Sequence, residues 1–317
     1  MTVYISPVGL GLGDLVLSLP AIQALIEGDE PVTLVARTSR HMGLSQCIPG
    51  LAGVIDEPSF LSNPISPGDR YINLRDHHLQ TEFRWDTPEF AAAHPGFKII
   101  EILEGICADF GIAANFRQLK PLPWQRLKEL EGKVLFIPGS AQESKCWLSA
   151  SWRDLSLRLK SHRGRDCLVL GEPDKSAGVR DCLAMGLGHY PTPSIDEALN
   201  ALSSAAAVVS VDTGLMHLAL QQGTPTVALY LHNPVYLRRS PLCFALAATA
   251  CHPECIRLSM ARPLNSFVEY SDFPEPDVWE CALPASKRCM SSITVEAVFA
   301  QASDALALRG SREKLKC

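Results

Sequence analysis

The sequence predicts an α/β protein of two similar units, each a parallel sheet covered by helices. Three observations carry this. The 317 residues are about twice a typical domain. Short apolar runs alternate with helix-length segments from one end to the other. Three strand-to-helix junctions also carry glycine, hydroxyl and charged residues. Together, two such units would set a cleft between the carboxyl ends of two sheets, where open α/β folds bind ligands.

In the first unit, the run Thr2 to Val8 reads as a strand. Gly9-Leu10-Gly11-Leu12-Gly13-Asp14 reads as a glycine turn, and Leu15 to Ile26 as a helix with Pro20 expected to kink it. Pro31 to Arg37 and Tyr71 to Leu74 are further strands, and Lys98 to Phe110 has helical spacing and stops before Gly111. Between Leu119 and Gly132 the chain turns polar and proline-bearing, which places a boundary there.

The second unit repeats the rhythm. Val134 to Pro138, Cys167 to Leu170, Ala207 to Val211 and Thr226 to Leu231 are strands. Ser151 to Lys160 is a helix with Ser151 as N-cap candidate, and Asp174 to Met185 is a second helix. Ser194 to Glu197 is a capping box that opens a third, and Gly214 to Gln222 is a fourth, closed by Gly223. The domains expected are 1–125 and 126–293, followed by a C-terminal helix and basic tail over 294–317. The tail from Arg309 is expected to be disordered.

Composition narrows the function classes. With 47% hydrophobic and 20% charged residues the chain is not a disordered one. A net charge of −5, from 29 Lys+Arg against 34 Asp+Glu, gives no reason to expect nucleic-acid binding. The most apolar N-terminal stretch, Val8 to Ile26, is broken by Asp14 and Pro20, and the start lacks a signal-peptide pattern. Eleven cysteines without such a signal suggest thiols or metal ligands in a reduced, cytoplasmic setting.

The first of the three junctions puts Asp14 at a helix N-terminus behind Gly11 and Gly13, as a helix cap or as a functional acid. Val16 stands where a dinucleotide fingerprint needs its third glycine, which disfavours an NAD-linked dehydrogenase. The second junction is Asp212-Thr213-Gly214-Leu-Met-His217. Its helix N-terminus suits an anion, Thr213 offers a hydroxyl, and His217 can turn toward the same point. Asp212 would repel a phosphate, so it is expected to cap the helix or bind sugar hydroxyls. The third, Pro138-Gly139-Ser140 to Lys145-Cys-Trp147, offers a hydroxyl and a lysine suited to a diphosphate.

Gly13-Asp14 with Pro20 and Ala24-Leu25, then Lys145-Cys-Trp147, then Asp212-Thr-Gly-Leu-Met-His217 with Gly223-Thr-Pro-Thr-Val-Ala-Leu together resemble the ADP-heptose:lipopolysaccharide heptosyltransferases, glycosyltransferase family 9. The resemblance implies a GT-B architecture of two Rossmann-like domains. The acceptor would lie on the first domain and the nucleotide sugar on the second, and the last helix, Thr294 to Leu308, would cross back to the first domain. It implies Asp14 as catalytic base, and Ser140 and Lys145 on the diphosphate. Asp212, Thr213, Gly214 and His217 become the donor-binding block, and Glu172, or alternatively Asp174, becomes the ribose-binding acid. Ala141 departs from the pattern, since a second hydroxyl residue is expected there.

The implied reaction is an inverting transfer from an ADP-heptose-type donor to a lipopolysaccharide core or related glycan hydroxyl, at or near the cytoplasmic face of the inner membrane. It needs no cofactor, and no Asp-x-Asp metal clamp occurs in the chain. Asp14, ionised near neutral pH, would take the acceptor proton while Lys145, Thr213 and the helix start near Gly214 hold the departing diphosphate. Two other readings remain, a protein O-heptosyltransferase of the autotransporter type and a non-catalytic sugar-nucleotide-binding protein. Cys251, Cys255, Cys281 and Cys289 could hold a structural Zn or Fe, as the resemblance to the iron-bearing autotransporter subgroup implies, although their spacing is irregular. Cys107 and Cys167 read as core residues, and His77-His78 as an exposed polar loop.

Overall fold

In the computed structural model, residues 1–63, 65–81, 99–140, 143–231, 240–248 and 289–314 are described. The first unit contains β1 (Val3–Ser6), α1 (Leu12–Glu27), β2 (Val32–Ala36), α2 (Ser39–Ser45), β3 (Gly53–Asp56), α3 (Glu57–Leu61), β4 (Arg70–Asn73), α4 (His78–Thr81) and α5 (Ile99–Asp109). The second contains β5 (Val134–Ile137), α6 (Ser149–Arg163), β6 (Cys167–Leu170), α7 (Ala177–Ala184), β7 (Gly188–Tyr190), α8 (Ile195–Ser204), β8 (Ala207–Val211), α9 (Gly214–Gln221), β9 (Thr226–Tyr230), β10 (Cys243–Ala247) and α10 (Val295–Lys314).

Both sheets are parallel. The first runs β3-β2-β1-β4, and the second runs β10-β9-β8-β5-β6-β7. In register, Ile5 sits between Leu34 and Ile72, and Val209 between Phe136 and Val227. β5, β8 and β9 are buried along their whole length, as apolar strands covered on both faces must be. The fold is the α/β, two-sheet architecture the sequence implies.

Local chemistry sets the element ends, and some differ from the sequence expectation. α1 begins at Leu12, earlier than Leu15, because the Asp14 carboxylate at the third helical position accepts the N–H of the N-cap Gly11. It also runs through Pro20 without ending. α6 starts at Ser149, with Leu148 rather than Ser151 at the cap position. Trp147, 4% exposed, fixes this entry by donating Nε1–H to the Ile293 carbonyl at 2.9 Å. α7 starts at Ala177 rather than at Asp174, because the Ser176 hydroxyl accepts the Val179 N–H. The Ser194–Glu197 capping box is present as expected.

The C-terminal helix corrects two expectations. It continues to Lys314, so the tail from Arg309 is helical that far. Its apolar residues Val298, Ala302 and Ala305 are buried in the core of the second sheet, which fixes the helix there rather than on the first unit. That sheet offers α10 the apolar surface its small side chains can approach closely.

The two units instead meet through α1 and α9, and one continuous core joins them. It holds Leu15, Leu19 and Ile22 of the first unit together with Leu199, Leu202, Leu218 and Ala219 of the second. The connecting segment is stitched to the second unit by side-chain amides. Gln222 both donates to the Leu122 carbonyl (2.9 Å) and accepts its N–H (2.8 Å), and Asn200 accepts the Gln125 N–H (2.6 Å). Buried backbone groups there are satisfied without a strand partner.

Candidate active site

Two helix N-termini converge where the units touch. A Cβ added at Gly214 would lie 2.7 Å from the Leu12 Cβ and 2.9 Å from the Gly13 N. One added at Gly13 would lie 3.0 Å from the His217 ring. Glycine is required at 214, where any Cβ would run into the α1 backbone, while a Cβ at 13 would press on the His217 ring, so the start of α1 lies directly against the start of α9. Each helix start follows a strand carboxyl end, β1 and β8, as the topology demands.

Asp14 occupies the third position of α1. Its Oδ2 accepts the Gly11 N–H at 2.7 Å, so the capping reading of this residue is correct. It is more than a cap. Burial pushes its carboxyl up to about 6, working against the Gly11 hydrogen bond and against Lys145 and Arg75, with Asp212 adding to the rise. Sequence reasoning foresaw an ionised aspartate here but not the raised proton affinity, which depends on burial that only the fold creates.

On the far side, Lys145 Nζ donates to Asp212 Oδ2 at 2.8 Å, and His217 Nε2 lies 3.6 Å from Asp212 Oδ1. Burial alone would raise the Asp212 carboxyl, but Lys145 and His217 outweigh it and hold it well below the usual carboxylate range. The expectation that Asp212 caps the helix is therefore corrected. Its oxygens face Lys145 and His217, and its N–H is tied to the Leu229 carbonyl at 3.0 Å as the end of the β8 ladder. Thr213 holds the cap position with extended backbone and makes no side-chain cap bond. That leaves its hydroxyl at the end of α9 where the first N–H groups lack an intrahelical partner.

Ser140 lies on the loop after β5 that also carries Lys145, whose short 3-10 turn spans Glu143–Lys145. Ala141 lies outside the described residues. Glu172 stands at the end of β6, the neighbour of β5, and accepts the Thr192 N–H at 2.9 Å. Asp174 lies two residues further on, before α7. The structure thus brings Asp14, Gly13, Lys145, Asp212, Gly214 and His217 together, with Ser140 and Glu172 on adjoining strand ends. Arg75, just beyond β4, acts on Asp14 electrostatically and was missed. Its position at a third strand end was the available signal.

The cysteine group Cys251, Cys255 and Cys281 lies outside the described residues, while Cys289 is half-buried against the second core. Cys107 and Cys167 are core residues, their thiols pushed up to about 12 by burial. His77 is not the exposed residue the sequence suggests, since its side chain is only 8% exposed. It stacks on His78, with Asp109 alongside at 3.2 Å. Its Nδ1 accepts the Leu79 N–H, which puts the neutral ring's proton on Nε2 facing Asp109. The lone pair a cation would need is therefore occupied.

The sequence profile of glycosyltransferase family 9 (heptosyltransferase) matches residues 70–249. The chain belongs to this family. The matched stretch contains every donor-side loop described above, while Asp14 lies before it. Among curated relatives, the chain is 35% identical over 101 residues to lipopolysaccharide heptosyltransferase 1 of Salmonella typhimurium, a stretch covering 31% of each protein. The chain thus spans about a third of that relative's length. Its fold is similar to that of the E. coli heptosyltransferase WaaC with ADP-2-deoxy-2-fluoro heptose (TM-score 0.58, 15% identity, 96% of this chain and 99% of that one). It is also similar to the iron-containing dodecameric glycosyltransferase TibC from enterotoxigenic E. coli (TM-score 0.61, 14% identity, 96% and 76%).

Proposed function

We propose that this family 9 protein is an inverting heptosyltransferase, taking heptose from an ADP-heptose-type donor to a hydroxyl of a lipopolysaccharide core or related glycan. One observation carries the reading: the starts of α1 and α9 meet where the two units touch, which sets Asp14 opposite Lys145, Thr213 and the start of α9, groups suited to an anion. The names of the Salmonella relative and of the WaaC complex support the acceptor and the donor. Since a lipopolysaccharide core is anchored in lipid, the reading places transfer at the cytoplasmic face of the inner membrane.

In a single displacement, the acceptor oxygen bonds to the anomeric carbon as the bond to the diphosphate oxygen breaks. Asp14 accepts the hydroxyl proton, and a carboxyl near 6 is a better base than an ordinary aspartate while still ionised at neutral pH. The charge that develops on the leaving ADP falls to Lys145, the Thr213 hydroxyl and the N–H groups of α9, with Ser140 from the neighbouring loop. Asp212 keeps Lys145 and His217 in place, and Glu172 serves the ribose. No step requires a metal.

The protein-acceptor alternative draws on the resemblance to the autotransporter subgroup and on the four thiols Cys251, Cys255, Cys281 and Cys289, a donor set suited to a soft ion such as the iron of TibC. That ion would order the loop and take no part in transfer. The deciding experiment is Asp14→Asn, assayed with ADP-heptose and a lipopolysaccharide core acceptor. Turnover should fall about 10²–10⁴-fold while ADP affinity stays near wild type. Wild-type turnover by the variant would remove Asp14 as base.

A further inference from the structure

We propose that His41 is a positioning residue for Asp14. It clamps the turn whose N–H holds the Asp14 carboxylate. The inference rests on the reading of Asp14 as base and goes beyond it to a residue of another element.

The turn Gly9 to Gly13 contains three glycines, which leaves its backbone soft. Gly11, the N-cap of α1, has no side chain of its own to fix it. Both carbonyls that flank the Gly11 N–H are also gripped from α2 and its N-cap residue Thr38, the Gly11 carbonyl in addition to the Asp14 and Leu15 N–H groups it accepts within α1. His41 Nε2 lies 3.0 Å from the Gly11 carbonyl, and the Thr38 hydroxyl donates to the Leu10 carbonyl at 3.4 Å. Because the Leu10–Gly11 peptide is planar, holding its carbonyl also aims its N–H, which points at Asp14 Oδ2 2.7 Å away. The two grips form one unit, since the Thr38 hydroxyl accepts the His41 N–H at 3.3 Å to cap α2.

The ring's protonation follows from its partners. His41 is 0% exposed, and its Nδ1 accepts the Arg37 N–H at 3.3 Å, so the neutral ring carries its proton on Nε2 and donates it to Gly11. Burial lowers the proton affinity of the ring, Arg37 lowers it further, and the Gly11 carbonyl and Glu57 oppose them. Burial and Arg37 thus favour the neutral ring. Arg37 is itself held by an ion pair with Glu57, which fixes the end of β2 that presents its N–H. The charged groups acting on Asp14 from other elements, Lys145, Asp212 and Arg75, are untouched by changes at His41.

The test compares wild type, His41→Leu, His41→Gln and Asp14→Asn. The Asp14 carboxyl is titrated by its ¹³C resonance, assigned by its absence in Asp14→Asn. The rate of ADP release from ADP-heptose with a lipopolysaccharide core acceptor is followed across pH. His41→Leu should move the Asp14 midpoint upward by about one unit, because a weakened N–H bond no longer favours the charged form. The acid limb of the rate should follow, costing about tenfold below pH 6, with ADP affinity unchanged. Gln places an N–H close to the position of Nε2, so His41→Gln should restore both midpoint and limb. A wild-type midpoint in His41→Leu, or a midpoint in His41→Gln as displaced as in His41→Leu, would overturn the proposal. Full activity in Asp14→Asn would instead overturn the base, and the carboxyl titration would still report on the clamp.

Discussion

The starts of α1 and α9 make a matched pair with opposite chemistry. Each follows the carboxyl end of a parallel strand, each carries a glycine pressed against the other, and each brings an aspartate to the contact. Asp14, inside its helix and short of a direct cation, has its carboxyl raised to about 6 by burial. Asp212, just before its helix and bonded to Lys145 with His217 beside it, is held well below the usual range. Burial acts on both, so the cation decides between them. The protein thereby separates a carboxylate fit to take a proton from one fit to hold a lysine in place.

The largest effect that would sharpen this comparison is on stability. The folded protein keeps the Asp14 proton that the unfolded chain releases, so wild type loses stability as pH rises from about 4 through about 6. Asp14→Asn escapes that loss while its amide oxygen still accepts the Gly11 N–H. Its advantage should be absent near pH 4 and reach at most about 3 kcal/mol at pH 7, measured by chemical denaturation. A variant less stable than wild type at pH 7 would show that Asp14 is not strained by burial.

Lys145→Ala should act on the other member of the pair. ADP affinity by calorimetry should fall by about 1.5–3 kcal/mol, roughly ten- to hundredfold. The thermal midpoint should fall too, since Asp212 loses its ion-pair partner. That destabilisation should be present at neutral pH and fade as Asp212 becomes protonated in acid. Thr213→Ala gives the smallest effect, about tenfold in ADP affinity with the midpoint unchanged, because this hydroxyl makes no cap bond. A fall in midpoint for Thr213→Ala equal to that of Lys145→Ala would erase the distinction.

Much of this was legible in the chain. β8 spans Ala207–Val211 as its apolar run dictates, and the Ser194–Glu197 box opens α8. Short elements without alternation, β3, β7 and β10, left no such mark, because their place is set by neighbouring strands. At the site, glycines and charged residues at strand ends marked Asp14, Lys145 and Asp212. The pairing of Lys145 with Asp212, 67 residues apart, was hidden, and so was the grip of His41 on Gly11 across 30 residues. Both depend on loops from separate strands meeting. The reach of α10 was misjudged for the same reason, since helical spacing shows which face is apolar but not which sheet receives it.

The central claim is that Asp14, tuned by burial, takes the proton in transfer. The pH dependence of ADP release from ADP-heptose, with a lipopolysaccharide core acceptor present, tests it most directly. The rate should rise about tenfold per pH unit in acid and level off above about 6 in wild type. In Asp14→Asn that limb should vanish along with most of the rate. A limb of the same midpoint in both proteins would contradict the claim.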